Sequence, residues 1–280
     1  MMPRPPAPEA GILKIPMTYP AILKETSWET RNLGIPSYAL APGFFEAPDF
    51  TELEREMQAL AASRGRLFVA ARLGRNGLPL VPRLQSLGFY VVECTVSPTM
   101  VLGRNRLLRA FERDPTGFLP RRYRLEEIEF RTLAAVQPDQ ASLIRDMAHD
   151  AFQDDRFHCD HQCPREIADR RFAFWMDDLM RDPEVRFDLL ILRGTPVAFF
   201  ARKRDHQIVS GFARERASSG LGEFFWLATC KAVKDEGYAA VHSLISCNNL
   251  QSLNLCARCG YRFKDTGYTF HYWVNPPGGG

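Results

Sequence analysis

Apolar residues recur along this chain with two periods, and the switches between them outline its elements. Leu53, Met57 and Leu60 keep helical spacing behind Asp49, a ready N-cap, so 50–63 reads as a helix. The spacing predicts further helices over 79–87 and from Pro138, where Leu143, Met147, Ala148 and Phe152 share one face. Another runs from Pro164 with Ile167, Phe172, Trp175, Met176 and Leu179, and two more cover 221–236 and 250–258, closed by Gly237 and Gly260. Strand-like runs fall at 66–72, 89–96, 127–133, 185–192, 197–202, 208–213 and 239–245, and turn signals make 185–192, 197–202 and 208–213 an antiparallel meander. A last hairpin is expected from 261–264 and 268–273 around Asp265-Thr266-Gly267. The result is an α/β (α+β) chain. A Pro-rich tail (1–20) is expected to be disordered, a first unit covers 21–103, a charged stretch with Pro115, Gly117 and Pro120 serves as linker (104–124), and a second unit covers 125–275. The first unit ends in a helix, a Gly-Phe and a strand (84–96), echoing 255–264, so the second unit reads as a repeat of the first.

Composition narrows the function classes. With 280 residues and 45% hydrophobic content the chain can bury a substantial core, yet no apolar run approaches the roughly 20 residues of a membrane helix. Four prolines among the first eight residues break any secretory pattern, so a cytoplasmic protein is expected. The net charge of +3 comes from scattered basic residues, which argues against a nucleic-acid partner and suits small anionic substrates. Seven cysteines without a regular framework read as reduced thiols.

Ser218-Ser219-Gly220-Leu221-Gly222 lies between a strand and an amphipathic helix. Glycines let a ligand approach the backbone, and the first-turn N–H groups with the helix dipole favour a pyrophosphate; an ordinary strand-to-helix turn would look the same. The segment Asn249 to Tyr261 follows the next strand. Cys256 and Cys259 stand three apart on its helix, and with Cys159 and Cys163 near His158 they form a conceivable zinc set, but no second C-x-x-C supports it and no metal is expected. His242 is either a base facing a cleft or a satisfied core histidine, and Arg156-Phe157-His158 is either an acceptor-binding loop suited to phosphate or a solvated loop with Phe157 tucked inward.

Taken together, Gly220, Gly222, Gly237, Asn249 and Gly260-Tyr261 resemble the GNAT superfamily of acyl-CoA-dependent N-acyltransferases. More narrowly the chain resembles the TDP-fucosamine acetyltransferase family of sugar-amine acyltransferases. That likeness rests on Ser27-Trp28-Glu29, Leu33-Gly34, Leu87-Gly88-Phe89, residues 91–95, Asp155-Arg156-Phe157, Arg171 and Trp175. The resemblance implies a tandem GNAT fold, a degenerate first half beside a complete second one. It implies acetyl-CoA or another acyl-CoA as co-substrate, held by Phe212, Ala213, Arg216, Ser218, Ser219, Gly220, Leu221, Gly222, Asn249 and Ser252. It implies an acceptor amine, on a nucleotide-linked sugar, bound by Arg156, Phe157 and His158, and it is compatible with a homodimer. Amino acids or peptides as acceptors, or an acyl-CoA-binding module without catalysis, are the alternatives. The family Tyr that protonates the CoA thiolate is here Cys256, which is a spectator, an acid or a nucleophile. If Cys256 is a spectator, the proton comes from water or from Tyr268, Tyr272 or His271 on the last hairpin.

Overall fold

The computed structural model describes residues 22–151 and 155–276; the tail 1–20 and Phe152 lie outside the described residues. The first half runs β1 (Leu23–Glu25), α1 (Ser27–Leu33), β2 (Ser37–Leu40), α2 (Phe50–Arg64), β3 (Leu67–Gly74), α3 (Val81–Ser86) and β4 (Tyr90–Val101). Then come α4 (Arg106–Arg113), β5 (Ile128–Leu133), α5 (Pro138–Ala151), α6 (Arg165–Arg181), β6 (Val185–Leu192), β7 (Thr195–Lys203) and β8 (His206–Phe212). The chain finishes with α7 (Gly222–Asp235), β9 (Ala240–Ser243), β10 (Ile245–Ser246), α8 (Leu250–Arg258) and β11 (Arg262–Val274). Local chemistry sets the boundaries. Asp49 accepts a hydrogen bond from the Glu52 N–H at 3.0 Å and so caps α2. α3 and α8 both end on a glycine with positive φ, Gly88 and Gly260. In both, the next residue donates back across the turn, Phe89 to the Leu84 carbonyl and Tyr261 to the Cys256 carbonyl.

Those matched endings deliver the two strands at the middle of the molecule. Among the described residues one mixed sheet runs β1-β2-β3-β11-β4-β9-β8-β7-β6-β5, with β10 also on β4. The halves exchange strands. β11, the end of the second half, lies between β3 and β4 of the first, and β4 pairs with β9 of the second through Thr99↔His242 to Val101↔Ala240. The expected hairpin at 261–273 is therefore one continuous strand. Its turn signal has another cause: the register shifts between Lys264 and Thr266, a bulge at Asp265, and a Cβ on Gly267 would lie 2.8 Å from Thr95 Oγ1. That glycine answers a close approach between strands.

The stretch 104–124 is an ordered, packed part of the structure. Asn105 caps α4 by accepting from the Leu108 N–H at 2.8 Å and donates to the Cys259 carbonyl at 2.9 Å, which pins α4 to the end of α8. Leu108 and Phe111 of α4 join Phe225 and Leu227 of α7 in one core beneath the sheet, where a fully buried side chain contributes roughly 1.5–3 kcal/mol. On the opposite side α5 and α6 cover β6 to β8 with Ile144, Met147, Phe172 and Met176. Here the apolar face of α5 differs from the sequence reading: Ile144 is buried and Leu143 exposed.

Arg156 and Phe157 of the loop before α6, with Arg171 of α6, hold the two halves together. Glu29 of α1 accepts from Arg171 Nε and Nη2 at 2.8 Å each and also from Arg156. The Arg156 and Arg171 guanidinium groups lie over the ring of Phe157, at 4.7 and 4.2 Å from its centroid, and Phe157 is fully buried.

Candidate functional site

β8 and β9 are parallel neighbours only at His206↔His242 and Gln207↔Ser243. Beyond that point they part, because the chain after Ser243 pairs with β4 instead: Ile245 and Ser246 oppose Val96 and Thr95, and the Cys247 N–H donates to the Cys94 carbonyl at 2.7 Å. The divergence exposes an edge of β8. Ala213 N–H donates to the Val197 carbonyl at 2.9 Å, and Phe212 opposes Ala198. The alternation of an antiparallel ladder then turns the N–H and C=O groups of Ser210 and Phe212 away from β7, toward the gap β9 leaves.

That gap is a groove with two connected parts sharing Ser210, Trp226, Asn249, Gln251 and Ser252. One part, about 490 Å³, is lined by Phe212, Arg214, Ala217, Gly220, Gly222, Glu223, Leu255 and Arg258. The other, about 370 Å³, lies between the diverging strands and reaches Glu93, Asp155 and Trp175. Gly220 has φ of +79° and sits against Pro120, and Ser219 Oγ accepts from the Leu221 N–H at 3.3 Å. The turn thus leads into the first N–H groups of α7 with no side-chain cap in the way, a cradle that fits an anionic phosphate group. Asn249 caps α8 by accepting from the Ser252 N–H at 3.0 Å, so both residues edge the groove through one local contact. Beneath it Tyr261 donates to Gln207 Oε1 at 2.7 Å beside Cys230, tying β8, α7 and the turn after α8 together.

Of the sequence-derived candidates, Phe212, Gly220, Gly222, Asn249 and Ser252 line this groove. Ser219 and Leu221 are buried supports of the turn, Ser218 is exposed, and in place of Arg216 the cationic residues lining this part of the groove are Arg214 and Arg258. The Ala213 N–H is already bonded, which leaves Phe212 as the backbone donor facing the gap.

The catalytic and acceptor-binding candidates lie elsewhere. Cys256 is wholly buried among Leu255, Cys259 and Cys230, and burial pushes its thiol up to about 12, so it neither reaches the groove nor gives up a proton readily. His242 faces another surface hollow with His206 and Lys264, its Nδ1 3.2 Å from Thr99 Oγ1. Arg156 is bound to Glu29 and lines a hollow of the first half. His158 sits between Asp155 Oδ2 at 2.6 Å and Asp169 Oδ1 at 2.9 Å, and those carboxylates raise its pKa. No cluster of three or more metal-ligating side chains occurs among the described residues, and none of their helices is long and apolar enough to cross a membrane.

His271 is fully buried on β11. Its Nδ1 donates to Asp160 Oδ2 at 2.7 Å, and Nε2 has no partner among the described residues. A second proton there would be stranded, and burial holds the imidazole down to about 4. Asp160, burial being outweighed by donors from His271, Tyr90 and Trp273, is held at about 2. Both shifts act in one direction. The unfolded chain protonates His271 first as pH falls from about 6.5 to about 4, and Asp160 from about 4 to about 2. The His271–Asp160 pair should therefore account for a loss of ~3 kcal/mol between about pH 7 and about pH 4, partly offset in the whole protein by His158, whose raised pKa acts with the opposite sign; denaturant melts of wild type and His271→Phe over that range read the pair's share, and equal slopes would contradict this burial.

Sequence reasoning did not assign Glu93, Asp155, Trp175, Trp226, Arg214 or Arg258 to the groove. Glu93, Asp155 and Trp175 stood among the resembling residues, but their meeting in one groove depends on tertiary packing, for Glu93 on the pairing of β4 with strands of the second half.

No known family's sequence profile matches the chain, and no curated protein does. Solved structures do match. A tandem GNAT protein from the clavulanic acid biosynthesis pathway aligns over 87% of this chain and 77% of its own at 14% identity, with a TM-score of 0.56. The chain has a tandem GNAT fold. A GCN5-related N-acetyltransferase from Sphaerobacter thermophilus shares this GNAT fold over 86% of this chain and 73% of its own at 14% identity, with a TM-score of 0.54. A Staphylococcus epidermidis protein of unknown function shares it over 85% and 83% at 10% identity, with a TM-score of 0.52.

Proposed function

We propose that the chain is an N-acyltransferase that moves an acyl group, acetyl in the simplest case, from acyl-CoA to the primary amine of a small acceptor. The observation carrying this reading is the continuous groove, from the uncapped start of α7, along the free edge of β8, to a cleft with carboxylates at its far end. Phosphates of CoA would sit at the Gly220 turn with Arg214 and Arg258 nearby, and the pantetheine amides would bond the backbone of Ser210 and Phe212. The Phe212 N–H is positioned to polarise the thioester carbonyl. Trp175 and Trp226 wall the cleft and keep water from the reacting atoms.

The acceptor is read as an amine without a nucleotide. Arg156, paired with Glu29, and His158, paired with Asp155 and Asp169, are already engaged and would not grip nucleotide phosphates, and no cationic side chain lines the cleft itself among the described residues. A sugar amine remains one member of the class, beside amino acids and alkylamines. Calorimetric titration with acetyl-CoA and with longer acyl-CoAs tests the reading: saturable binding is expected, and its absence removes the proposal. The burial of Cys256 favours one second reading, a module that binds acyl-CoA without turning it over. It would bind acetyl-CoA and release no thiol with any amine.

A further inference from the structure

The cleft between β8 and β10 contains two ionisable side chains among the described residues, Glu93 and Asp155. They are not equivalent. Asp155 Oδ1 accepts from the Phe157 N–H at 2.8 Å and Oδ2 from His158 at 2.6 Å. Burial pushes its carboxyl up, but these bonds and the charges of His158 and Arg171 outweigh it and hold Asp155 as an anion. Glu93 arrives from the other half of the molecule. It lies on β4 where the register against β11 shifts, Thr269 opposing Glu93 and Phe270 opposing Val91, and that bulge re-aims the side chain into the cleft. Burial raises the Glu93 pKa, Asp155 raises it further, and Arg156, Arg72 and the Ser246 hydroxyl draw it down. The thiols of Cys94 and Cys247 are its other titratable neighbours. A half-buried carboxylate with raised basicity beside a fixed anion is the arrangement that accepts a proton from a cation.

We infer that Glu93, supplied to the acceptor cleft by the first half of the molecule through strand exchange, is the general base of the transfer, and that the acceptor enters as an ammonium ion. This rests on the acyl-transfer reading above. Asp155 holds the ammonium, and Glu93 takes one of its protons. The freed nitrogen pair forms the C–N bond to the thioester carbonyl carbon, and the C–S bond breaks with its electrons on sulfur. The second proton lost by nitrogen goes to the thiolate, while Glu93 passes the first to solvent. The products are amide, CoA thiol and one proton, and no buried acid such as Cys256 is required.

The test compares wild type, Glu93→Gln and Glu93→Asp in the full chain. Acetyl-CoA binding is read by calorimetry, and thiol release is followed from neutral to alkaline pH with 1,4-diaminobutane, glucosamine and lysine. Glu93→Gln should keep the acetyl-CoA Kd and melting temperature while losing on the order of 10²-fold or more in kcat at neutral pH. The loss should shrink as alkali deprotonates the amine, and Glu93→Asp should recover part of the rate. Wild-type turnover in Glu93→Gln, or a loss independent of pH, would overturn the inference. Thiol release from none of the three amines by a wild type that binds acetyl-CoA would overturn it as well. If acetyl-CoA itself fails to bind, the acyl-transfer reading falls first and takes this inference with it.

Discussion

Replacing Arg202 with Met should destabilise the fold by about 3–5 kcal/mol, a drop of roughly 10 °C in Tm. Arg202 on β7 has no exposed surface. Its Nε donates to the equally buried Asp188 at 2.8 Å, and its Nη1 and Nη2 donate to Glu236 at 2.7 and 2.6 Å. Glu236 can turn to water, being 39% exposed, but Asp188 cannot. Without Arg202 it keeps the Thr132 hydroxyl at 2.7 Å as a donor and loses its counter-charge. Burial already pushes the Asp188 pKa up, and the substitution pushes it further, so the folded state would bind a proton more tightly than the unfolded one. The destabilisation relative to wild type should then grow as pH rises from about 4 toward neutrality, because the unpaired Asp188 must ionise there. Denaturant melts at both pH values check the sign. A second change, Asp188→Leu, should restore most of the loss, because replacing a whole buried pair costs far less than breaking one. Glu236 caps the C-terminal end of α7, so this ion cluster also fixes the helix whose other end opens onto the groove. Acetyl-CoA affinity should weaken along with stability in the single variant.

Gly220→Val should weaken acetyl-CoA binding at least about tenfold, a loss of roughly 1.4 kcal/mol or more. Its φ of +79° costs a residue with a Cβ about 1–2 kcal/mol, and that Cβ would lie 3.0 Å from Cγ of Pro120, a ring that cannot swing aside. The turn must therefore move, and with it the N–H groups that begin α7. Gly222→Ala is the control. It has no positive φ, and its Cβ would meet the end of the flexible Leu255 side chain at 3.0 Å, so a smaller effect is expected. Calorimetry on the two variants reads the difference. Equal affinities would show that the turn does not carry the phosphates.

The contrast between those glycines shows where sequence reading stops. Both fit the same Gly-x-Gly pattern, and only the folded structure separates them, through the left-handed backbone at Gly220 and the packing of Pro120 and Leu255. The same limit applies to titratable residues. Cys256, His271 and His158 carry suitable chemistry by type, yet what each does depends on the side chains folded against it: Asp155 and Asp169 for His158, Cys230 for Cys256, and for His271 an Asp160 more than a hundred positions away. Glu93 had no chemical signal of its own, since nothing local to β4 says that a bulge will face it into a cleft of the second half.

By itself the sequence determined most of the longer local elements and the α/β class, while β1, α1, β2, α4 and β10 were not legible in it. Capping residues such as Asp49 and Asn249, the glycines at 88, 237 and 260, and the two hydrophobic periods act within a few residues, so they can be read directly. It also marked the two matched endings and the turn before α7. The tertiary structure decided which strands pair. A period of two specifies one buried face and is silent about the neighbour along the sheet, so 261–273 reads equally as a hairpin or as one strand. Only the assembled sheet showed β11 passing between β3 and β4, and β4 carrying Glu93 to the second half's groove.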